Sequence, residues 1–212
     1  MNFTILGERH SGTNFLQGTI EQNFDLSVTW DYGWKHWMGF NDEKIKNAND
    51  TIFFCISRNI FDWCYSFYLK PHHVEHMKEL GAYWFFTDEW FSMFREEPLL
   101  GHTEIIEDRN YETNERYKNI FELRSMKLKY MYTLKNMQKN TFNLTYENLC
   151  NNYDDVMYDI GKTFNLERIP NSLQVFQSTH KPPFVLLDLI TDKTDWEAEL
   201  LWGYKMKMTG LK

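Results

Sequence analysis

The segment Thr51-Ile52-Phe53-Phe54-Cys55-Ile56-Ser57 constrains the fold of this chain more than any other. It is rich in β-branched and aromatic residues and lacks polar alternation, so a strand built from it must be covered on both faces. Such strands lie in the middle of parallel sheets, and parallel strands need crossover connections, usually helices. The rest of the chain supplies them. Phe3–Leu6 reads as a short buried strand, followed by a helix over Thr13–Asn23 and a second strand over Leu26–Trp30. After the central strand come a helix over Phe61–Leu69, a long helix over Arg116–Met137, a strand over Phe142–Tyr146 and a helix over Tyr153–Phe164. Strands alternating with helices imply an α/β fold of three layers, α/β/α, around a central parallel sheet. A length of 212 residues fits one domain spanning 1–212.

The remaining stretches are read as follows. Thr87–Arg95 is expected to be an amphipathic helix, Gly101–Asn114 a polar surface loop, and Asp195–Tyr204 a last short helix. The tail from Arg168, with Pro170, Pro182 and Pro183, is expected to be irregular. The net charge of −7 argues against a nucleic-acid coat or a polybasic membrane binder. No apolar run reaches the length of a membrane span, and MNFTILGERH lacks the apolar core of a secretory leader. Three cysteines without CxxC spacing suit neither a disulfide framework nor a zinc knuckle, so a cytoplasmic setting is expected.

Sheets of this class bind ligands beyond the carboxyl ends of their strands. Beyond the first strand lies Gly7-Glu8-Arg9-His10-Ser11-Gly12-Thr13-Asn14, with the G-x-x-x-x-G spacing of a phosphate-binding P-loop. Backbone N–H groups there, aided by the helix dipole, can cradle an anion. The Lys and following Ser or Thr that an ATP or GTP site requires are replaced by Thr13 and Asn14, and positive charge sits inside the loop at Arg9 and His10. The plain alternative is a tight strand-to-helix turn capped by Ser11. Beyond the central strand lies Ser57-Arg58-Asn59, with Ser66 two turns into the next helix. Arg58 and Ser66 can meet one phosphate by charge-assisted hydrogen bonds, with Asp62 capping the helix or orienting Arg58. An ordinary surface ion pair is the alternative for Arg58.

Together, GERHSGTNFL and SRNIFDWCYSFY resemble the paired signatures of the sulfotransferases that use 3′-phosphoadenosine 5′-phosphosulfate (PAPS). Arg58, Asn59, Asp62, Ser66 and Tyr68 fall in the register of the family's second signature, Phe15 where an aromatic meets adenine, and Thr145-Tyr146-Glu147-Asn148-Leu149 resembles a Y-E-D-L segment. The resemblance covers roughly residues 3 to 165, with only the two loops specific. It implies a P-loop NTPase-like sulfotransferase fold and PAPS as co-substrate, with 3′,5′-bisphosphate PAP as product and no metal required. It assigns the donor to Arg9, His10, Ser11, Gly12, Thr13, Asn14, Phe15, Arg58, Ser66 and Tyr146. Ile60 replaces the usual Pro, His10 stands where a first-loop Lys is usual, and no R-K-G segment appears near the C-terminus.

Sulfuryl transfer, like phosphoryl transfer, asks the protein to position the partners and stabilise developing charge. Arg9, His10 and the loop amides are the candidates for that stabilisation. An acceptor hydroxyl also needs a base. Lys35-His36 resembles the K-T-H-L-P segment of cytosolic sulfotransferases, one residue tighter, which makes His36 the first candidate and Glu8 its rival. The plain alternative is that His36 is only a polar loop residue among tryptophans. Trp34, Trp37, Trp63, Trp84, Phe85 and Trp90 are expected near the acceptor, where flat rings suit a sugar or an apolar small molecule, although core packing explains any one of them. His72-His73-Val74-Glu75-His76 matches the H-x-x-E-H zinc pattern but lacks a third ligand downstream. The competing functions are a P-loop nucleotide or small-molecule kinase and a non-catalytic nucleotide-binding module.

Overall fold

In a computed structural model the described residues are 1–95, 102–170 and 186–206. In chain order the elements are β1 (Asn2–Leu6), α1 (Thr13–Asn23), β2 (Ser27–Val28), α2 (Asp42–Lys46), β3 (Thr51–Ser57), α3 (Ile60–Leu69), α4 (Glu75–Lys78), α5 (Ala82–Thr87), β4 (Met93–Arg95) and β5 (His102–Glu104). A 3₁₀ turn at Ile106–Asp108 follows, then α6 (Ile120–Thr133), β6 (Thr141–Thr145), α7 (Tyr146–Asn151), α8 (Tyr153–Phe164), α9 (Leu187–Lys193) and α10 (Trp196–Leu201).

The central sheet has four strands in the order β2-β1-β3-β6, every pairing parallel. The strand read as most constraining, β3, pairs on both edges and is buried at all seven residues. Its side chains alternate between two cores because successive residues of a strand face opposite ways. Ile52, Phe54 and Ile56 pack with Leu16 and Ile20 of α1, with Phe24 just beyond it, and with Val156, Met157 and Ile160 of α8. Phe53 and Cys55 pack with Leu128 and Met131 of α6, Ala198 of α10 and Ile45 of α2. Helices therefore cover both faces, giving the expected three layers. A further core, to which the sheet contributes no residue, gathers Trp63 and Phe67 of α3, Met77 of α4, Phe85 of α5 and Leu123 of α6.

The strand order reverses between β1 and β3: the chain leaves β1 for β2 on one side, then crosses to β3 on the other. The crevice above such a switch point is where open α/β sheets hold ligands. The loops after β1 and β3, the two read as anion sites, are the ones that meet there.

Several expected elements come out differently. The second strand shrinks to Ser27–Val28, with one further ladder bond from Thr29 N–H to the Phe3 carbonyl at 2.8 Å. The helix expected over Thr87–Arg95 lies earlier, at Ala82–Thr87, and the chain then extends. Fully buried Trp90 explains the change: its backbone exchanges bonds of 2.7 and 3.2 Å with Tyr117, and β4 pairs antiparallel with β5. The stretch Gly101–Asn114, expected to be a surface loop, contains β5 and the 3₁₀ turn and buries Asp108, which is 2% exposed. Helix α2 went unanticipated, and α9 falls inside the tail read as irregular. Pro182 and Pro183 lie outside the described residues.

Candidate functional site

The first loop is shaped by two residues with left-handed backbone. His10 has φ 62° and Gly12 φ 96°, and a Cβ on Gly12 would sit 2.4 Å from the Tyr146 ring. Only glycine combines that backbone with that approach. Ser11 does not cap α1. Its hydroxyl donates back to the Glu8 carbonyl at 2.5 Å, and Gly12 stands at the N-cap with no side-chain acceptor for the first turn. The amides of Thr13, Asn14 and Phe15 thus open α1 without a side-chain cap, as an anion cradle requires.

Arg9 contributes to the cavity wall, but its guanidinium is taken up by carboxylates. It is 1% exposed, and its guanidinium meets Glu8 at 2.9 Å and Asp108 at 2.8 Å. Lys127 of α6 closes the cluster, bonding Glu8, Asp108 at 2.6 Å and the His36 carbonyl at 2.8 Å. Two carboxylates and two cations balance, which is what makes their burial tolerable. Glu8, the rival base, is consumed here. Burial opposes its charge, but Lys127 and Arg9 outweigh burial and hold the carboxyl below its usual range. Nothing local in the sequence marks Asp108, in a stretch expected to be a surface loop, or Lys127, within the long helix, as members of a buried charge cluster.

The charge that faces the ligand side comes from elsewhere. Lys35 is 7% exposed and enters no ion pair among the described residues. Its ammonium donates to Asn14 Oδ1 at the start of α1 and lies 4.9 Å from the Trp34 ring centroid. It thereby brings to the helix start a cation that the first loop lacks in sequence, although burial pulls its pKa below the ordinary lysine value. Its neighbour His36 donates from Nδ1 to the Gly7 carbonyl at 2.6 Å, which leaves Nε2 as the basic nitrogen. Burial, then Arg9, holds His36 well below the ordinary imidazole pKa, so the ring is neutral. His10 binds the Lys70 carbonyl through Nε2 at 2.6 Å, and burial lowers its pKa too.

On the second loop, Arg58 also lacks a carboxylate partner among the described residues. It donates to the His10 carbonyl at 3.2 Å, its guanidinium lies 4.7 Å from the Tyr146 ring centroid, and its buried Nε has no hydrogen-bond partner. The backbone around it is held firmly. Arg124 donates to the Arg58 carbonyl at 2.7 Å while paired with Glu199 of α10. Glu147 accepts from Asn59 N–H at 2.8 Å and from the Tyr204 hydroxyl at 2.7 Å. Asn59, not Asp62, caps α3, accepting from Phe61 N–H at 3.0 Å.

One cavity of about 640 Å³ unites the two loops; its lining includes Asn14, Phe15, Lys35, His36, Arg58 and Tyr146. Arg9, His10, Gly12 and Thr13 complete the first-loop share, with Trp34, Lys70 and His72 on the remaining wall. No Asp or Glu lines it among the described residues. Ser66 is not brought in; it lies half-buried on α3 away from the lining, and Ser11 is spent inside its own loop. The tryptophans divide. Trp34 lines the cavity and Trp37 stands 6.3 Å from Phe94, whereas Trp63, Phe85 and Trp90 are core and Trp84 is 51% exposed. The H-x-x-E-H residues do not share a helix, because α4 begins at Glu75 after a left-handed His73. Among the described residues no helix is long and apolar enough to cross a membrane. No protein-family model, curated protein or solved structure matches the chain.

Proposed function

We propose that this chain is a sulfotransferase, moving the sulfuryl group of PAPS to a hydroxyl or amine of a small-molecule or carbohydrate acceptor. The observation that carries this reading is the pair Lys35 and Arg58. Among the described residues both are buried cations without carboxylate partners, and both face one cavity in whose lining no carboxylate stands. A chain of net charge −7 that concentrates cations in one cleft is built to hold an anion there. The two cations stand at the two loops, as a ligand with phosphate groups at both ends of an adenosine requires. Phe15 and Tyr146, ring centroids 6.1 Å apart and set edge to face, supply aromatic surface to the same lining. The cavity volume lies in the range of small-molecule sites.

In this reading Arg58 holds the 3′-phosphate, with the Tyr146 ring beneath its guanidinium. Lys35 and the first-turn amides of α1 hold the 5′ end and stabilise the charge that builds on the departing phosphate oxygen. His36 takes the acceptor proton on Nε2, a contribution typically worth about 10²–10⁴-fold. Arg9 acts through the shape of the first loop and not by touching the transferred group. A kinase fits less well, because Mg²⁺–nucleotide sites hold the metal with a hydroxyl and a carboxylate, and among the described residues this lining offers no carboxylate.

The reading is tested by thermal shift. PAP is expected to raise the melting temperature in metal-free buffer and Mg–ATP to leave it unchanged. Arg58→Ala and Lys35→Ala should each abolish most of the PAP shift, while His36→Ala keeps the shift and loses turnover on an acceptor panel of sugars and phenols. Stabilisation by Mg–ATP alone would favour the kinase. PAP binding that leaves every acceptor unmodified would favour the non-catalytic module.

A further inference from the structure

Two imidazoles beside the cavity are held by the same buried cluster of charges, and their hydrogen bonds leave each with one neutral form. His36 Nδ1 lies 2.6 Å from the Gly7 carbonyl, which only accepts, so Nδ1 carries the proton and Nε2 the lone pair. His73 Nδ1 lies 3.2 Å from Arg9 Nη2, which only donates, so Nδ1 is bare and Nε2 carries the proton. Arg9 is fixed in turn by Glu8 and Asp108, and Lys127 bonds both carboxylates and the His36 carbonyl. The cluster thus reaches His73 through the Arg9 side chain and His36 through the main chain. His73 stacks on His72, centroids 3.9 Å apart, and His72 lines the cavity.

We propose that the Glu8–Arg9–Asp108–Lys127 cluster is a positioning device that holds His36 and His73 as rings of opposite tautomer, one offering a lone pair and the other an N–H. For a hydroxyl acceptor in the cavity the His36 lone pair is the base, and His73 backs His72 on the wall. That use rests on the sulfotransferase reading; the tautomers do not. The charged and titratable groups facing His36 are Arg9, Lys127 and Asp108. Those facing His73 are Arg9, His72, Asp108 and Glu75. Burial, then Arg9, pushes His73 down to about 4 and His36 well below its ordinary value, which keeps both rings neutral near pH 7.

The test is a long-range proton–nitrogen correlation spectrum of the ¹⁵N-histidine-labelled protein at pH 7, with PAP binding measured on the same sample. The expected spectrum shows His36 protonated on Nδ1 and His73 on Nε2. A doubly protonated ring, or either ring in the other tautomer, would overturn the proposal. In Lys127→Met the His36 titration midpoint should move upward, because a neighbouring cation is gone, while Lys127→Arg should leave it in place. An unmoved midpoint in folded Lys127→Met would remove Lys127 from the device. Should Lys127→Met fail to fold, the wild-type spectrum still decides. Absence of PAP binding with both tautomers as stated would defeat the donor-site reading and leave the cluster's role standing.

Discussion

Gly12 concentrates the demands on the first loop. Its φ of 96° is left-handed, and the Tyr146 ring occupies the space a Cβ would take. Gly12→Ala therefore meets two penalties, a backbone cost of about 1 kcal/mol or more and displacement of the ring beneath Arg58. We predict a lower melting temperature and a loss of PAP affinity larger than the stability change alone would give, measured by calorimetry on the folded variant. Arg58 and Ser66 separate at this scale. A charged hydrogen bond contributes about 1.5–3 kcal/mol, so Arg58→Ala should weaken PAP binding at least tenfold. Ser66→Ala should leave affinity within twofold, because Ser66 lies off the cavity lining. The spacing Arg58-x₇-Ser66 reads as one phosphate clamp, yet Arg58, just ahead of the Asn59 cap of α3, lines the cavity and Ser66, inside the helix, does not. Arg9 is the opposite lesson. As a cation in a glycine loop it reads as a ligand-facing group, but its partner Asp108 lies ninety-nine positions away, and no local pattern reveals that pairing.

Among the elements, α10 does more than cover the sheet. Its Glu199 pairs with Arg124, and both side chains are nearly fully buried; Arg124 in turn holds the Arg58 carbonyl. Glu199→Ala strands a buried guanidinium, and breaking a buried pair in this way costs about 3–5 kcal/mol. Chemical denaturation should show a loss of that size, and PAP affinity should fall with it as the second loop loosens. A stability change below about 1 kcal/mol would show that Arg124 finds other partners. Elements read from strong periodicity or burial came through well: β1, α1, β3, β6 and α8 stand within a residue or two of their expected limits. The weaker stretches did not. Thr87–Arg95 has helical spacing of apolar residues, but the demand to bury Trp90 against Tyr117 wins and extends the chain. Asp108 and Asn110 look like solvent residues until their ion pairs and turn bonds are seen.

At the scale of the whole molecule, acid stability follows from the neutral histidines. His10, His36, His72 and His73 all have pKa values lowered by burial, His73 to about 4. The unfolded chain protonates first, near the ordinary value of about 6.5, so their contribution is complete above that pH and is lost as pH falls through the folded values. Glu8 shifts the same way for its own range. The melting temperature is therefore expected to fall between pH 7 and pH 4, and a flat profile across that interval would contradict the burial of these rings. The parallel sheet and its switch point follow from β3 and the alternation around it, which is why the location of the cavity was legible. The distribution of charge within it was not, because burial decides which cations are neutralised by carboxylates and which remain for a ligand.

In the sulfotransferase reading proposed above, Lys35 and Arg58 grip opposite ends of one nucleotide. A crystal structure of the protein with PAP decides the matter. The 3′-phosphate is expected on Arg58, the 5′-phosphate on Lys35 and the first turn of α1, and the base against Phe15 or Tyr146. A nucleotide bound away from this cavity, or with neither phosphate on these two cations, would contradict that reading.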